Sequence, residues 1–279
     1  MASSCKLASR DHKTDDTIVM IGNVEIGGKH PIVIAGPCTV EDEAALLEIA
    51  SSVKNAGAKM LRGGAYKTRT SPHDFQGLGE KGLILLAKAS DKYGLPIVTE
   101  ITDPKDVGLI AEYADMLQIG SRNMQNSALL KAAGRSQLPV LLKRGFACTI
   151  NEWLLAADYI LSEGNPNVVL CERGIRSFED STRFSLDILS IAVVKKMSHL
   201  PIIVDPSHAA GYREYVASAA KGSIAAGADG LMIEVSVNPE TALVDGRQAL
   251  TLIQFSELMV QLNHISKGIA RSVSVSESN

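Results

Sequence analysis

Eight short apolar runs recur along this chain, separated by stretches of helical periodicity, and that alternation constrains the fold more than any other feature. The runs are Ile32–Ala35, Met60–Leu61, Ile97–Thr99, Met116–Ile119, Val140–Leu142, Val168–Leu170, Ile202–Val204 and Leu231–Ile233. Short, continuously apolar segments suit strands buried on both faces of a parallel sheet. Helical patterns lie between them over Glu41–Asn55, Gly82–Tyr93, Pro104–Tyr113, Asn126–Ala133, Ile150–Glu163 and Arg213–Ala226. Gly57, Gly94, Gly164 and Gly227 fall where helix C-caps need a left-handed residue. Eight such units predict an α/β fold closed into a (β/α)8 TIM barrel. The alternative is a doubly wound open sheet, but the first strand ends in Gly36-Pro37-Cys38 rather than a glycine-rich phosphate turn.

Before the repeat, Thr17–Ile21 and Val24–Ile26 flank Gly22-Asn23, which predicts a short hairpin plugging the N-terminal end of the barrel. Residues 1–15 are polar and charged and are expected to be disordered. Residues 16–266 are expected to form one catalytic barrel domain, ending in a helix over about Ala249–Ile265. The Ser-rich residues 267–279 are expected to be a disordered tail, with no second domain left over. Lys and Arg number 28 against 31 Asp and Glu, so the chain lacks the basic excess of a nucleic-acid or anionic-membrane binder. No apolar run reaches the ~18 residues of a membrane span, and the polar N-terminus is no signal peptide. A cytoplasmic location is expected. Cys5, Cys38, Cys148 and Cys171 show no paired spacing, which suits free thiols or ligands rather than a disulfide frame.

In a parallel barrel all eight strand endings meet at one rim. The first, seventh and eighth strands are neighbours there, and their endings supply Cys38, His208 and Glu234, with Asp245 on the following turn. A thiolate, an imidazole and two carboxylates form a four-ligand set for Zn2+, Fe2+, Mn2+ or Co2+, and are too soft for Mg2+ or Ca2+. Each residue has a plainer reading alone: Cys38 as a small buried hydrophobe, His208 as a satisfied polar group, Glu234 as a partner for a base, Asp245 as a turn residue. Convergence at one rim favours the joint reading. Arg62, Lys67, Arg69, Arg122, Lys143 and Arg173 also lie at or just past strand C-termini. Fixed cations so placed repel one another unless an anion fills the space, and Arg in particular suits bidentate contact with phosphate or carboxylate. The segment Lys67-Thr68-Arg69-Thr70-Ser71-Pro72 reads as a phosphate-gripping loop.

These motifs resemble a known family. Gly36-Pro37-Cys38, the run Arg62–Pro72, Gln118–Asn123, Lys143-Arg144-Gly145, Cys171–Gly174, Asp205-Pro206-Ser207-His208 and Asp245–Gln248 are similar to those of 3-deoxy-D-arabino-heptulosonate 7-phosphate (DAHP) synthases of the type I beta subfamily. The resemblance covers roughly residues 17–265. It implies a metal-dependent barrel that condenses phosphoenolpyruvate with erythrose 4-phosphate, the first step of the shikimate pathway. It puts Cys38, His208, Glu234 and Asp245 on the metal-ligand positions. Arg62, Lys67, Arg122, Lys143, Arg173 and the Ser121 amide fall on the phosphoenolpyruvate positions, and Lys67, Arg69, Thr70 and Ser71 on the erythrose phosphate loop. It further implies a homotetramer or homodimer. No extra regulatory domain is expected before or after the barrel, so feedback inhibition through an appended domain is not expected, and a regulatory partner protein is left as its route. Thr68 replaces the proline of the family's usual Lys-Pro-Arg-Thr loop. That frees φ and brings in another aldose acceptor, such as arabinose 5-phosphate, as an alternative.

The expected mechanism has the metal activating the aldehyde and cations orienting phosphoenolpyruvate so that its C3 attacks. Lys67, His208 and Cys38 are read as catalytic: Lys67 protonating the new alkoxide, and His208, or water at the metal, handling the water that adds at C2. Two other readings compete. A Schiff-base aldolase would use Lys143 or Lys67 as nucleophile, and a non-catalytic barrel would only bind a phosphorylated metabolite.

Overall fold

Alternate residues of a β-strand point to opposite sides, and in this chain the two sets build two separate cores. The computed structural model describes residues 5–269. A hairpin, β1 (Val19–Ile21) and β2 (Val24–Ile26), precedes β3 (Ile32–Gly36), β4 (Met60–Arg62), β5 (Ile97–Ile101), β6 (Met116–Ile119), β7 (Val140–Lys143), β8 (Val168–Glu172), β9 (Ile202–Val204) and β10 (Gly230–Glu234). The last eight close into a parallel barrel in sequential order, with β10 pairing back onto β3 from Gly230 opposite Ile32 to Glu234 opposite Gly36. The expected TIM barrel is therefore the observed one.

Ile34, Met60, Val98, Met116, Leu141, Val169, Ile203 and Met232 fill the barrel interior together with Val19, Ile21, Val24 and Ile26 of the hairpin. The hairpin is thus the plug that its Gly-Asn turn suggested. Each of its four apolar side chains gains about 1.5–3 kcal/mol by burial. The outward-facing strand residues, such as Val33, Leu61, Leu117, Leu142 and Leu231, form the second core beneath the helices.

The helices are α1 (Glu43–Asn55), α2 (Glu80–Tyr93), α3 (Val107–Ala111), α4 (Ser127–Arg135), α5 (Ile150–Leu161), α6 (Leu189–Met197), α7 (Pro206–Ala210), α8 (Arg213–Ala225) and α9 (Leu252–Ile269). Helix α1 starts two residues later than expected because Asp42 caps it, accepting from Ala45 N at 2.9 Å. The single helix expected over Pro104–Tyr113 is a 3-10 turn at Pro104–Asp106 followed by α3. Helix α6 was not anticipated. Its Ile191, Val193 and Val194 are β-branched, which blurs helix against strand in sequence. The final helix begins late, because Leu250 bridges to Val235 and Thr251 then caps Gln254 N at 3.2 Å.

The expectation of a disordered N-terminal segment is corrected for residues 5–15, while residues 1–4 lie outside the described residues. Cys5, Ala8 and Ser9 are buried, Lys6 N and Ala8 N both donate to Asp158 of α5 at 2.6 and 2.7 Å, and Ser9 bridges to Ser198. One distant carboxylate satisfies two backbone donors, which a local reading of polar residues does not reveal. At the other end α9 continues to Ile269, past the expected boundary at 266; residues 270–279 of the expected tail lie outside the described residues.

Candidate metal centre and anion pocket

Parallel closure brings the ends of β3, β9 and β10 side by side, and their donors with them. Cys38, His208, Glu234 and Asp245 each offer one ligand atom, and these atoms all lie within 4.8 Å of one another. Cys38 Sγ lies 3.4 Å from Asp245 Oδ2, and His208 Nε2 lies 3.4 Å from Glu234 Oε1 and 3.6 Å from Asp245 Oδ2. Burial pushes the Cys38 thiol up strongly, and Glu234 adds to the rise. Burial also works against ionised Glu234, but His208 and Arg62 outweigh it and hold that carboxyl low. Asp245 likewise lies far below the carboxylate range, its burial outweighed by His208 and Lys67. Buried acidic donors around an imidazole fit a divalent cation, whose charge would also convert the thiol to the thiolate that ligates.

Residues beyond the four donors fix their directions. Asp205, fully buried at the end of β9, accepts from His208 Nδ1 at 2.7 Å and from the His208 backbone N–H at 2.9 Å, and also pairs with Lys143. With Nδ1 so committed, Nε2 is the nitrogen turned to the donor cluster. Burial alone would raise the Asp205 carboxyl; His208 and Lys143 prevail and hold it well below its ordinary value. Gln248 Nε2 donates to Glu234 Oε2 at 2.6 Å, and Ser207 Oγ accepts from Glu234 N at 3.0 Å. Asp205 and Gln248 lie in motifs quoted from the sequence, but neither is given a role there. The signals were present: each lies three residues from a donor, Asp205 in an Asp-Pro helix start.

The basic residues divide by partner. Arg62 donates to Glu234 Oε1 at 2.5 Å and to Cys38 O at 3.0 Å; Lys143 is held by Asp205; Arg69 pairs with Asp74 at 3.1 Å. Lys67 Nζ donates to Cys38 Sγ at 3.0 Å and sits 3.9 Å from Asp245. The expectation that only a bound anion could hold these cations together is therefore corrected: four of the six have acidic partners within the protein. Arg122 Nη2 reaches Thr70 Oγ1 at 3.3 Å. Arg173 differs. It is 3% exposed, its Nη1 has no hydrogen-bond partner, and burial lowers its pKa to about 10, which still leaves it charged at neutral pH. Ser121 opens a 3-10 turn directly after β6, beside Arg122.

Arg144, next to Lys143, faces away from this group and pairs with Glu172 and Asp187, both at 2.9 Å. Glu172 is fully buried. Exchanging Arg144 for methionine strands that charge and should lower the unfolding free energy by about 3–5 kcal/mol in a denaturant titration. An unchanged midpoint would count against the pair.

The loop after β4 is cross-tied. Lys67 N donates to Gln76 O at 2.8 Å, Arg69 Nη1 to Phe75 O at 3.1 Å, and Gln76 Nε2 to Pro72 O at 2.9 Å. Gly77, at φ +99°, passes so close to Ala65 O that a Cβ there would lie 2.1 Å away. Lys67, Thr68, Arg69, Thr70 and Ser71 together line a cavity at the rim.

Fold and rim define the class: a (β/α)8-barrel enzyme with a candidate divalent-cation site beside a cationic pocket. The chain belongs to the DAHP synthetase I family, whose sequence profile matches residues 9–269. It is 50% identical over 268 residues to phospho-2-dehydro-3-deoxyheptonate aldolase of Thermotoga maritima, covering 96% of this chain and 79% of the relative. A crystal structure of that DAHP synthase superposes with a TM-score of 0.94 at 49% identity, over 96% of this chain and 79% of the other. A truncated form of the Thermotoga enzyme gives a TM-score of 0.89 at 47% identity, over 94% of this chain and 97% of that one. The 2-dehydro-3-deoxyphosphooctonate aldolase of Syntrophotalea carbinolica is 34% identical, covering 90% of this chain and 98% of the relative.

Proposed function

We propose that this chain condenses phosphoenolpyruvate with erythrose 4-phosphate to give DAHP and phosphate, the entry step of the shikimate pathway. One observation carries the reading: four donor groups of one family-matched barrel converge at the rim that also carries a buried guanidinium whose Nη1 lacks a partner. In this reading Cys38, His208, Glu234 and Asp245 hold Mn2+, Zn2+, Fe2+ or Co2+, which when bound supplies Lewis acidity to the aldehyde. Arg62, Lys67, Arg122, Lys143, Arg173 and the Ser121 amide orient phosphoenolpyruvate, and Lys67, Arg69, Thr70 and Ser71 grip the aldose phosphate.

C3 of phosphoenolpyruvate attacks the aldehyde carbon, water adds at C2, and phosphate leaves by carbon–oxygen cleavage. Lys67 is the donor for the new alkoxide. Burial tends to deprotonate it, but Cys38, Glu100 and Glu234 outweigh burial and raise its pKa, so a proton is available. His208, with Nδ1 bound to Asp205, serves as a ligand, so the proton that the adding water loses returns to Lys67, left neutral by protonating the alkoxide. The same facts weigh against a Schiff-base aldolase: its lysine must lose a proton, whereas Lys67 is shifted the other way and Lys143 is tied to a buried carboxylate. A thiolate donor needs a reducing compartment, which supports a cytoplasmic setting; no helix among the described residues is long and apolar enough to cross a membrane. In the same reading the chain assembles as a homotetramer or homodimer, and any inhibition acts through a regulatory partner protein.

For the acceptor, the cross-ties of the Lys67–Gln76 segment offset the lost proline at Thr68, which supports erythrose 4-phosphate. Likeness to the octulosonate enzymes at 34% identity keeps arabinose 5-phosphate as the second reading. Phosphoenolpyruvate consumption measured side by side should favour the four-carbon acceptor by at least about tenfold in kcat/KM. Equal or better turnover of arabinose 5-phosphate would reverse the assignment.

A further inference from the structure

The charges of the buried bases at this rim are stabilised in two ways. Arg62, Lys143 and Arg144 each meet a carboxylate. Arg173 instead meets rings: its guanidinium carbon lies 4.1 Å from the centroid of Phe184 and 4.8 Å from that of Phe146. The two rings stack on each other, centroids 5.1 Å apart and planes 4° from parallel. Arg122 and Arg176 lie over Phe146 at 5.5 and 5.3 Å. Phe146 follows β7 and Phe184 lies beyond β8, so neighbouring strands of the barrel deliver the pair. Their positions are fastened by backbone: Arg176 N donates to Phe146 O at 2.7 Å and Phe184 N to Ala209 O at 2.9 Å. Gly174 leaves the room, since a Cβ there would sit 2.6 Å from that of Phe184.

A carboxylate would neutralise Arg173 by occupying its N–H donors. A ring face stabilises the cation through its quadrupole and occupies none of them. The outcome is a desolvated, charged guanidinium with Nη1 vacant. We propose that Phe146 and Phe184 are positioning residues for the phosphate of phosphoenolpyruvate, holding Arg173 in place without consuming the donors that the phosphate needs. The proposal rests on the reading above that Arg173 orients phosphoenolpyruvate, and it assigns the phosphate end to that guanidinium.

The test uses the full chain and direct binding of phosphoenolpyruvate and of inorganic phosphate, beside steady-state kinetics. Phenylalanine at 184, and separately at 146, is replaced by mono-, di- and trifluorophenylalanine, which keep the ring's shape while draining its negative face. Dissociation constants for both ligands should rise stepwise, roughly 2- to 30-fold across the series, with the KM of the aldose phosphate unmoved. A purely structural role for the rings predicts a flat series, and a flat series overturns the proposal. Arg173→Gln separates the two layers. If that variant loses phosphate affinity while the fluorine series is flat, the ring platform alone fails; if it binds phosphoenolpyruvate as the parent does, the pocket reading falls with it.

Discussion

Alanine at Cys38 is expected to cut turnover by on the order of a thousandfold in buffer containing Mn2+, Zn2+, Fe2+ or Co2+, because Lewis-acid activation supplies several kcal/mol and each 1.4 kcal/mol is a factor of ten. The sulfur is the soft member of the donor set, 3.4 Å from Asp245 and at the buried rim. Without it two carboxylates and one imidazole remain, a set that favours harder ions and holds Zn2+ or Fe2+ less well. Folding should change little. Arg62 binds the backbone carbonyl of residue 38 rather than its side chain, and the thiol itself is small. Metal content after dialysis and phosphoenolpyruvate consumption on metal re-addition provide the measurement, and denaturant titration provides the control. Full activity of the metal-replete variant would remove Cys38 from the centre.

This result would bear on a part of the protein that was legible in sequence, for a physical reason. Ile32–Ala35, Ile202–Val204 and Leu231–Ile233 are apolar throughout because parallel strands are buried on both faces, so their ends are easy to find. Once the ends are known, closure of the barrel dictates that Cys38, His208 and Glu234 meet. The rest depended on pairings that local pattern does not carry. Asp158 ties down residues about 150 positions earlier in sequence. Lys143 and Asp205 read as separate strand endings, one basic and one acidic, until packing joins them. Phe146 and Phe184 are two unremarked loop aromatics until adjacent strands stack them. Helix α6 was hidden by its β-branched residues, whose propensity packing overrides.

Asparagine at Asp205 is expected to be damaging in two separable ways. As a carboxylate, Asp205 gives both His208 Nδ1 and Lys143 an acceptor on Oδ2 and the His208 backbone N–H an acceptor on Oδ1. Asparagine has one acceptor oxygen and no charge, so the imidazole loses the partner that fixes its tautomer. In the serine-protease triad the same exchange lowers kcat about 10⁴-fold for that reason, and lost support of a ligating histidine typically weakens metal binding about 10- to 100-fold. A fall of roughly 10²- to 10⁴-fold in kcat, with metal retention reduced, is the expected result. Lys143 is also left charged and buried without a counter-ion, at about 3–5 kcal/mol of stability. Adding Lys143→Met should restore much of the stability and none of the activity. The acid limb follows by linkage. Asp205 is held below its ordinary pKa, so its contribution is in place above pH about 4 and is lost as pH falls through the depressed folded-state value. The asparagine variant should accordingly show a shallower loss of stability with acid. Near-parental turnover together with unchanged metal retention would mean that His208 is oriented by something other than Asp205.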